Sequence, residues 1–240
     1  MKLTVMTYNI QHGLVYRSDP PTIDLSAAAA VIRESGADFV GLNEVRGRGV
    51  RADYTAQAET MAALLGWHCF FGKSIDVSGP NPYGNAVLSR FPITETRVCH
   101  IPDPKESERD RRFEHRSVTR AVISLPEGSG AFTVFSSHFG LSKAERRNAA
   151  ETVLALAERE ENPFAIMGDF NTDPTDPVLA PLFERYDEAG AYCPGYTFPS
   201  DRPSCRIDYL FCSPDTRIES ARVIPAEASD HRPVLAEISF

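Results

Sequence analysis

Apolar residues follow two rhythms along this chain. In TIDLSAAAAVIRESG (residues 22–36), YTAQAETMAALLGW (54–67) and SKAERRNAAETVLALAERE (142–160) they recur every three or four positions, the spacing of one helix face. The first segment has Asp24 or Ser26 as N-cap and Gly36 as its stop. The second repeats the pattern and stops at Gly66. The third opens on Ser142 and Glu145, a capping-box spacing, and sets Val153, Leu154, Leu156 and Ala157 on one face. Elsewhere the apolar residues come in short runs rich in Val, Ile, Phe and Thr, bounded by Gly, Pro or Asp: LTVMTY, FVGL, HCFFG, NAVLS, RAVISL, FTVFSS, FAIMG, IDYLFC and PVLAEISF. These are strands. Many strands with three helices predict a mixed α/β domain in which large sheets pack on one another. A charged loop spans residues 102–114, and proline-rich loops span 173–181 and 192–204.

The polar residues that follow the apolar runs add chemistry to this frame. LTVMTY leads to Asn9, FVGL to Asn43 and Glu44, FTVFSS to His138, and FAIMG to Asp169 and Asn171. Asp208 begins IDYLFC just after Arg206, and Asp230 with His231 stands before the last strand. Alone, the Asp and Asn of AIMGDFNTDP read as turn formers. If the strand ends gather, the set lines one cleft. Carboxylates without cysteine partners favour a hard cation, Mg²⁺ or Mn²⁺. Histidine serves as acid or base, a carboxylate handles water, and a carboxamide donates to a phosphate oxygen. Together these parts suit in-line attack of water on a phosphoester. A carboxylate glycosidase would need one acid and one nucleophile rather than this set.

Composition narrows the reading. The chain of 240 residues is 42% hydrophobic and 24% charged, enough for a single domain over residues 1–240 with a sizeable core. Five cysteines without a CxxC pair predict neither a disulfide framework nor a zinc site, and point to a reducing cytoplasm. The N-terminus reads as a strand rather than a signal peptide, and no apolar run has membrane-spanning length. A net charge of −8 weighs against a non-specific nuclease, because phosphate neutralisation dominates binding to long nucleic acid. A monomer acting on a small-molecule or lipid-type phosphoester is expected, with a DNA or RNA nuclease as the alternative and a non-catalytic binding module as the remote one.

The ordered set MTYNI, GLNEV, YGNAVLSRFPI, SSHF, MGDFN, RIDYLF and SDHRPV resembles the endonuclease/exonuclease/phosphatase superfamily from residue 4 to the C-terminus. The resemblance implies a four-layered sandwich, with two mixed sheets packed face to face and helices outside. It implies a divalent metal held chiefly by Glu44, with Asn9 and Asp230 on or near it. Asp169 would orient or deprotonate the attacking water, and Asn171 would help hold the phosphate. His231, paired with Asp208, would contact the scissile phosphate, and His138 would sit on the leaving-group side. FEHRSVTRA resembles the family's Glu-x-Arg stretch, making Arg116 the expected phosphate contact and Arg120 a weaker one. Asn43 stands where the family often has Gln. RPSCRID lacks the tryptophan of the inositol phosphatases, and no basic and aromatic insertions of the abasic-site enzymes are present. Asn85 reads as a buried hydrogen-bonder, and His12, His68, His100 and His115 as structural or solvated.

Overall fold

The computed structural model describes residues 1–126 and 128–240. Two six-stranded sheets form. Sheet one has the order β11 (Arg217–Val223), β12 (Val234–Ser239), β1 (Lys2–Asn9), β2 (Phe39–Arg46), β4 (Pro82–Ser89) and β3 (His68–Asp76). Sheet two has the order β5 (Ile93–His100), β6 (Ser117–Ser124), β7 (Ala131–Ser137), β8 (Phe164–Asp169), β10 (Asp208–Cys212) and β9 (Asp187–Glu188). Among the described residues, only β1 with β2 and β7 with β8 pair in parallel. Each parallel pair needs a crossover, which α1 (Leu25–Ser35) and α3 (Lys143–Ala157) supply. The second helix, α2 (Gln57–Leu65), lies between β2 and β3 in the chain.

Alternation along the strands sorts side chains into layers. Leu3 and Val5 of β1, Val87 of β4, Val134 of β7, Ala165 and Met167 of β8, and Leu210 of β10 share one core between the sheets. Met6, Tyr8, Leu42 and Leu88 face the other way and pack with Ala28, Ile32 and Met61 of α1 and α2. Phe135, Ile166, Tyr209 and Phe211 pack with Ala149, Ala150 and Val153 of α3. The molecule is therefore helix, sheet, sheet, helix, the expected four layers.

Asp24 caps α1, accepting from the Ser26 amide at 2.8 Å, and Gly36 ends it at φ 78. The second helix departs from the pattern. It starts after Ala56 at φ 56, with no side-chain cap. Its first residue, the buried Gln57, instead accepts from the Arg46 amide at 2.9 Å and donates to the His12 carbonyl at 2.6 Å. The capping box of α3 is present, and its Glu145 reaches further than the box requires. It also accepts from the Leu141 amide and from the Asp110 amide, each at 2.7 Å, so it ties the 102–114 loop to the helix. Glu145→Ala leaves these half-buried donors unpaired and is expected to cost about 1–2 kcal/mol, measurable as a lower midpoint in urea unfolding.

Three strands and a short helix depart from the sequence reading. β5 and β11 are largely solvent-exposed strands whose Thr, Glu and Arg break the apolar run, and β9 has only 2 residues. Edge position explains the first two: a strand paired on one side needs less apolar surface. Within the second half of the chain, Ala180–Arg185 forms a helical turn, α4, where a proline-rich loop was expected up to residue 181. Its Pro181 sits in the first turn, where its missing N–H costs nothing. No described helix is long and apolar enough to cross a membrane. All five cysteines are free.

Candidate active site

The inner face of each strand changes from apolar to polar towards one common edge. On β1 the face runs Leu3, Val5, Thr7, Asn9; on β8 it runs Ala165, Met167, Asp169; on β7 it runs Phe132, Val134, Ser136 and then His138. Both parallel pairs end at this edge. β10 and β12 run antiparallel to their neighbours, so Asp208 and the residues before β12 arrive by their N-terminal ends. Register confirms the meeting, since Asp208 lies opposite Asp169.

Glu44 needs a further device. Simple alternation would turn it towards the helices. Between Leu42 and Val45 the register shifts, so that Asn43 and Glu44 together oppose Asn85. Glu44 takes φ 59 in this bulge, and Val45 falls back among the apolar residues under α1 and α2. The bulge re-aims one carboxylate into the cleft. Asn171 also takes a positive φ, 51, in the turn after Asp169.

Four groups converge on Asp169. Its Oδ2 accepts from Asn9 Nδ2 at 3.1 Å and lies 3.4 Å from His138 Nε2 and 3.6 Å from His231 Nε2. Its Oδ1 accepts from the Asn171 amide at 2.9 Å. Its own amide donates to Asn43 Oδ1 at 2.9 Å, and Asn43 Nδ2 donates to Asn85, which donates to the Ser117 carbonyl. The shorter amide at position 43 thus holds the backbone of Asp169, and Asn85 is the buried hydrogen-bonder expected. Burial pushes the Asp169 carboxyl up to about 7; His231 opposes this and Asp208 adds to it.

The two histidines differ in charge. Burial acts to lower His231, but the Asp208 and Asp169 carboxylates outweigh it and raise it to about 10. Its Nδ1 is 2.9 Å from Asp208 Oδ2. His138 is held well below the ordinary value by burial, then by Arg116 and His231. Its Nδ1 lies 3.1 Å from Arg116 Nη1, which only donates, so Nδ1 is the acceptor and the ring's single proton is on Nε2, beside Asp169 Oδ2 at 3.4 Å. The His231 contribution to stability is full below the unfolded value near 6.5 and is lost as pH rises through about 10. In metal-free protein, imidazole resonances should show His231 still protonated at pH 8, and Asp208→Asn should bring its titration down by more than a unit.

Glu44, His138, Asp169, Asn171, His231 and Arg116 line a cleft of about 420 Å³. Asn9 and Asp208 are buried behind its wall. Asp230 is half-buried beside His231, and its Oδ1 accepts from Ser229 Oγ at 3.2 Å. Burial raises the Asp230 carboxyl, and Glu44 raises it further. Glu44 accepts from Asn9 Nδ2 at 3.1 Å and Tyr83 hydroxyl at 2.8 Å. Among the described residues no lysine or arginine pairs with Glu44 or Asp230. Two carboxylates with no lysine or arginine paired to either fit a hard divalent cation. Asn9 meets Glu44 with its NH₂, because its Oδ1 accepts from the Gln11 amide at 3.0 Å; in this conformation it braces Glu44 and Asp169.

Tyr83 and the role of Asn43 were not legible in the sequence. Tyr83 lies opposite Arg46 across the bulge, and only that pairing brings its hydroxyl to Glu44. Phe198 packs on His231 with ring centroids 4.8 Å apart, and Arg112 reaches the cleft from the charged loop. Arg120 does not line the cleft: Glu160 and Glu95 engage it at 2.8 and 3.3 Å. Arg46 and Arg51 pair with Asp53 and stack on Tyr54.

A four-layered sandwich whose two inner faces end in one carboxylate, amide and histidine cleft defines the class of fold. The family model described as Endonuclease/Exonuclease/phosphatase family matches residues 6–231, and the chain belongs to that family. A structure described as an endonuclease/exonuclease/phosphatase from Beutenbergia cavernae is 26% identical, with TM-score 0.78, covering 100% of this chain and 72% of that one. A mannosyl-6-phosphatase from Bacteroides thetaiotaomicron is 20% identical, with TM-score 0.76, over 99% of this chain and 100% of that one. D. rerio TDP2, complexed with a single-strand DNA product, is 16% identical, with TM-score 0.70, over 100% and 99%. No curated protein sequence matches the chain significantly.

Proposed function

We propose that this protein is a divalent-metal-dependent phosphoesterase that hydrolyses a small-molecule or lipid-type phosphoester by in-line attack of water. The observation that carries the reading is the convergence of Asn9, His138 and His231 on Asp169 Oδ2, beside a Glu44 with no cationic side chain paired to it.

Glu44, braced by Asn9, would hold Mg²⁺ or Mn²⁺ together with Asp230. Bound there, the ion would offset the negative charge of the phosphate. Asp169 orients the water and takes its proton, and its raised proton affinity suits that task near neutral pH. His231 donates to a phosphate oxygen as charge develops, held in orientation and kept cationic by Asp208. Asn171 and Arg116 hold the other phosphate oxygens, and neutral His138 faces the leaving group. Leu141, Phe198 and Ile207 give the cleft an apolar side that suits an uncharged leaving group.

The test is a substrate panel with Mg²⁺ or Mn²⁺: p-nitrophenyl phosphate, bis-p-nitrophenyl phosphate, sugar phosphates, phospholipid head-group esters, DNA and RNA. Structures of this fold include a sugar phosphatase and a protein holding a DNA product, so both arms belong in it. Cleavage of small esters above nucleic acid supports the reading, and the net charge of −8 favours that order. Preferential cleavage of DNA or RNA would make it a nuclease. No cleavage of any substrate would leave a binding module.

A further inference from the structure

The turn after β1 carries a histidine that the reading above does not use. Gln11 and His12 both take left-handed backbone, at φ 43 and φ 47. Glutamine and histidine adopt that region at a cost, and such strain persists only where the surroundings enforce it. The enforcement is visible. The Gln11 amide is held by Asn9 Oδ1, and the His12 carbonyl accepts from the buried Gln57, which is also fixed to Arg46. The result places the His12 ring, 20% exposed, with Nδ1 4.0 Å from Glu44 Oε2. That nitrogen is buried and has no hydrogen-bond partner, and neither has Gln11 Oε1 on the same turn.

With its proton on Nε2, the imidazole offers Nδ1 as an acceptor that has nothing to accept from. A contact of 4.0 Å is too long for a hydrogen bond. Donor oxygens about 2.1 Å from a magnesium ion lie about 3 Å apart at neighbouring positions, so the pair is also too long for two adjacent ligands. It has room for one coordinated water between them. Magnesium keeps several waters, and those waters are strong donors.

We propose that His12 is a positioning residue of the cation site, its Nδ1 accepting a hydrogen bond from a water bound to the ion on Glu44. This rests on the metal-dependent reading and adds to it a residue that fixes the ion's water shell. Partners of that kind typically contribute 10–100-fold in metal affinity.

The backbone at φ 47 suggests the variants. His12→Gly removes the acceptor without adding strain, because glycine accepts that conformation. His12→Asn keeps an acceptor, since its Oδ1 can occupy the place of Nδ1 and asparagine tolerates left-handed backbone. Calorimetric titration of the purified full chain with MgCl₂ is expected to show His12→Gly binding about tenfold or more weaker, with His12→Asn within about threefold of the parent. Melting temperatures in EDTA establish that each variant is folded. Should His12→Gly not fold, ¹⁵N-histidine spectra of the unaltered protein replace it: Mg²⁺ should shift one Nδ1 resonance that is absent in His12→Asn. Parental affinity in folded His12→Gly, or no such shift, overturns the proposal. Glu44→Gln separates it from the function itself. If Glu44→Gln loses Mg²⁺ while His12→Gly keeps it, only the role of His12 falls. If Glu44→Gln binds Mg²⁺ like the parent, the metal-dependent reading falls with it.

Discussion

Asp169→Asn is expected to lower kcat on the preferred phosphoester by about a thousandfold or more, within the range spanned by loss of a general base together with its electrostatic contribution. The substitution is nearly isosteric, so it isolates chemistry from packing. The amide oxygen can still accept from the Asn171 backbone, but its NH₂ then faces Asn9 Nδ2, and it cannot take a proton from water. It also removes the charge that His231 faces at 3.6 Å. Stability should move the other way. Burial makes the Asp169 carboxylate costly to ionise, as its shift to about 7 indicates. An uncharged amide avoids that cost, so the metal-free variant should melt at or above the parental temperature near pH 8. Steady-state kinetics with saturating Mg²⁺ or Mn²⁺ and thermal melts in EDTA check both halves. A variant retaining even a tenth of the parental kcat would remove Asp169 from the water-handling role.

The second large effect lies one residue earlier and concerns folding. Gly168→Ala is expected to cost more than about 3 kcal/mol, the sum of backbone strain and overpacking. Gly168 has φ 146, and a Cβ built there would sit 1.7 Å from the Ser137 carbonyl oxygen. That oxygen belongs to the neighbouring strand β7, so no side-chain rotation relieves the clash. Either the β7–β8 pair opens or the turn carrying Asp169 shifts. For a chain of this length the loss corresponds to a melting temperature lower by about 6–12 °C, and calorimetry would register it with or without metal. Because Phe139 N donates to the Asp169 carbonyl across the same junction, at 2.9 Å, activity should fall along with stability.

The helices were legible because their signals are local. Asp24 with Gly36 and Ser142 with Glu145 mark their ends within a few residues, and the structure places caps where these stand. The central strands were legible because burial on both faces demands continuous apolar runs. β5, β9 and β11 were not, since an exposed edge or a two-residue bridge leaves little hydrophobic trace. The polar residues at strand ends were readable as a set, and MGDFN, RIDYLF and SDH gave the set an order. What they touch was not readable. Asn43 looked like a shortened glutamine, yet it carries the Asp169 amide. His12 looked structural, yet its Nδ1 faces Glu44 with no partner. Arg120 was the weaker expected phosphate contact, and its strand position commits it to Glu160.

From its sequence alone this chain determines which residues are apolar, which strands are buried and which polar groups stand at strand ends, because those properties rest on periods of two and 3.6 residues. Only the tertiary structure decided that the ends meet. Asn9 and Asp169 are 160 positions apart, and nothing local brings them together. Their contact depends on two parallel strand pairs ending at the same edge and on two sheets stacking inner face to inner face. The orientation of Glu44 depends on one extra residue in β2, a register property of the β2–β4 pair that neither strand carries by itself.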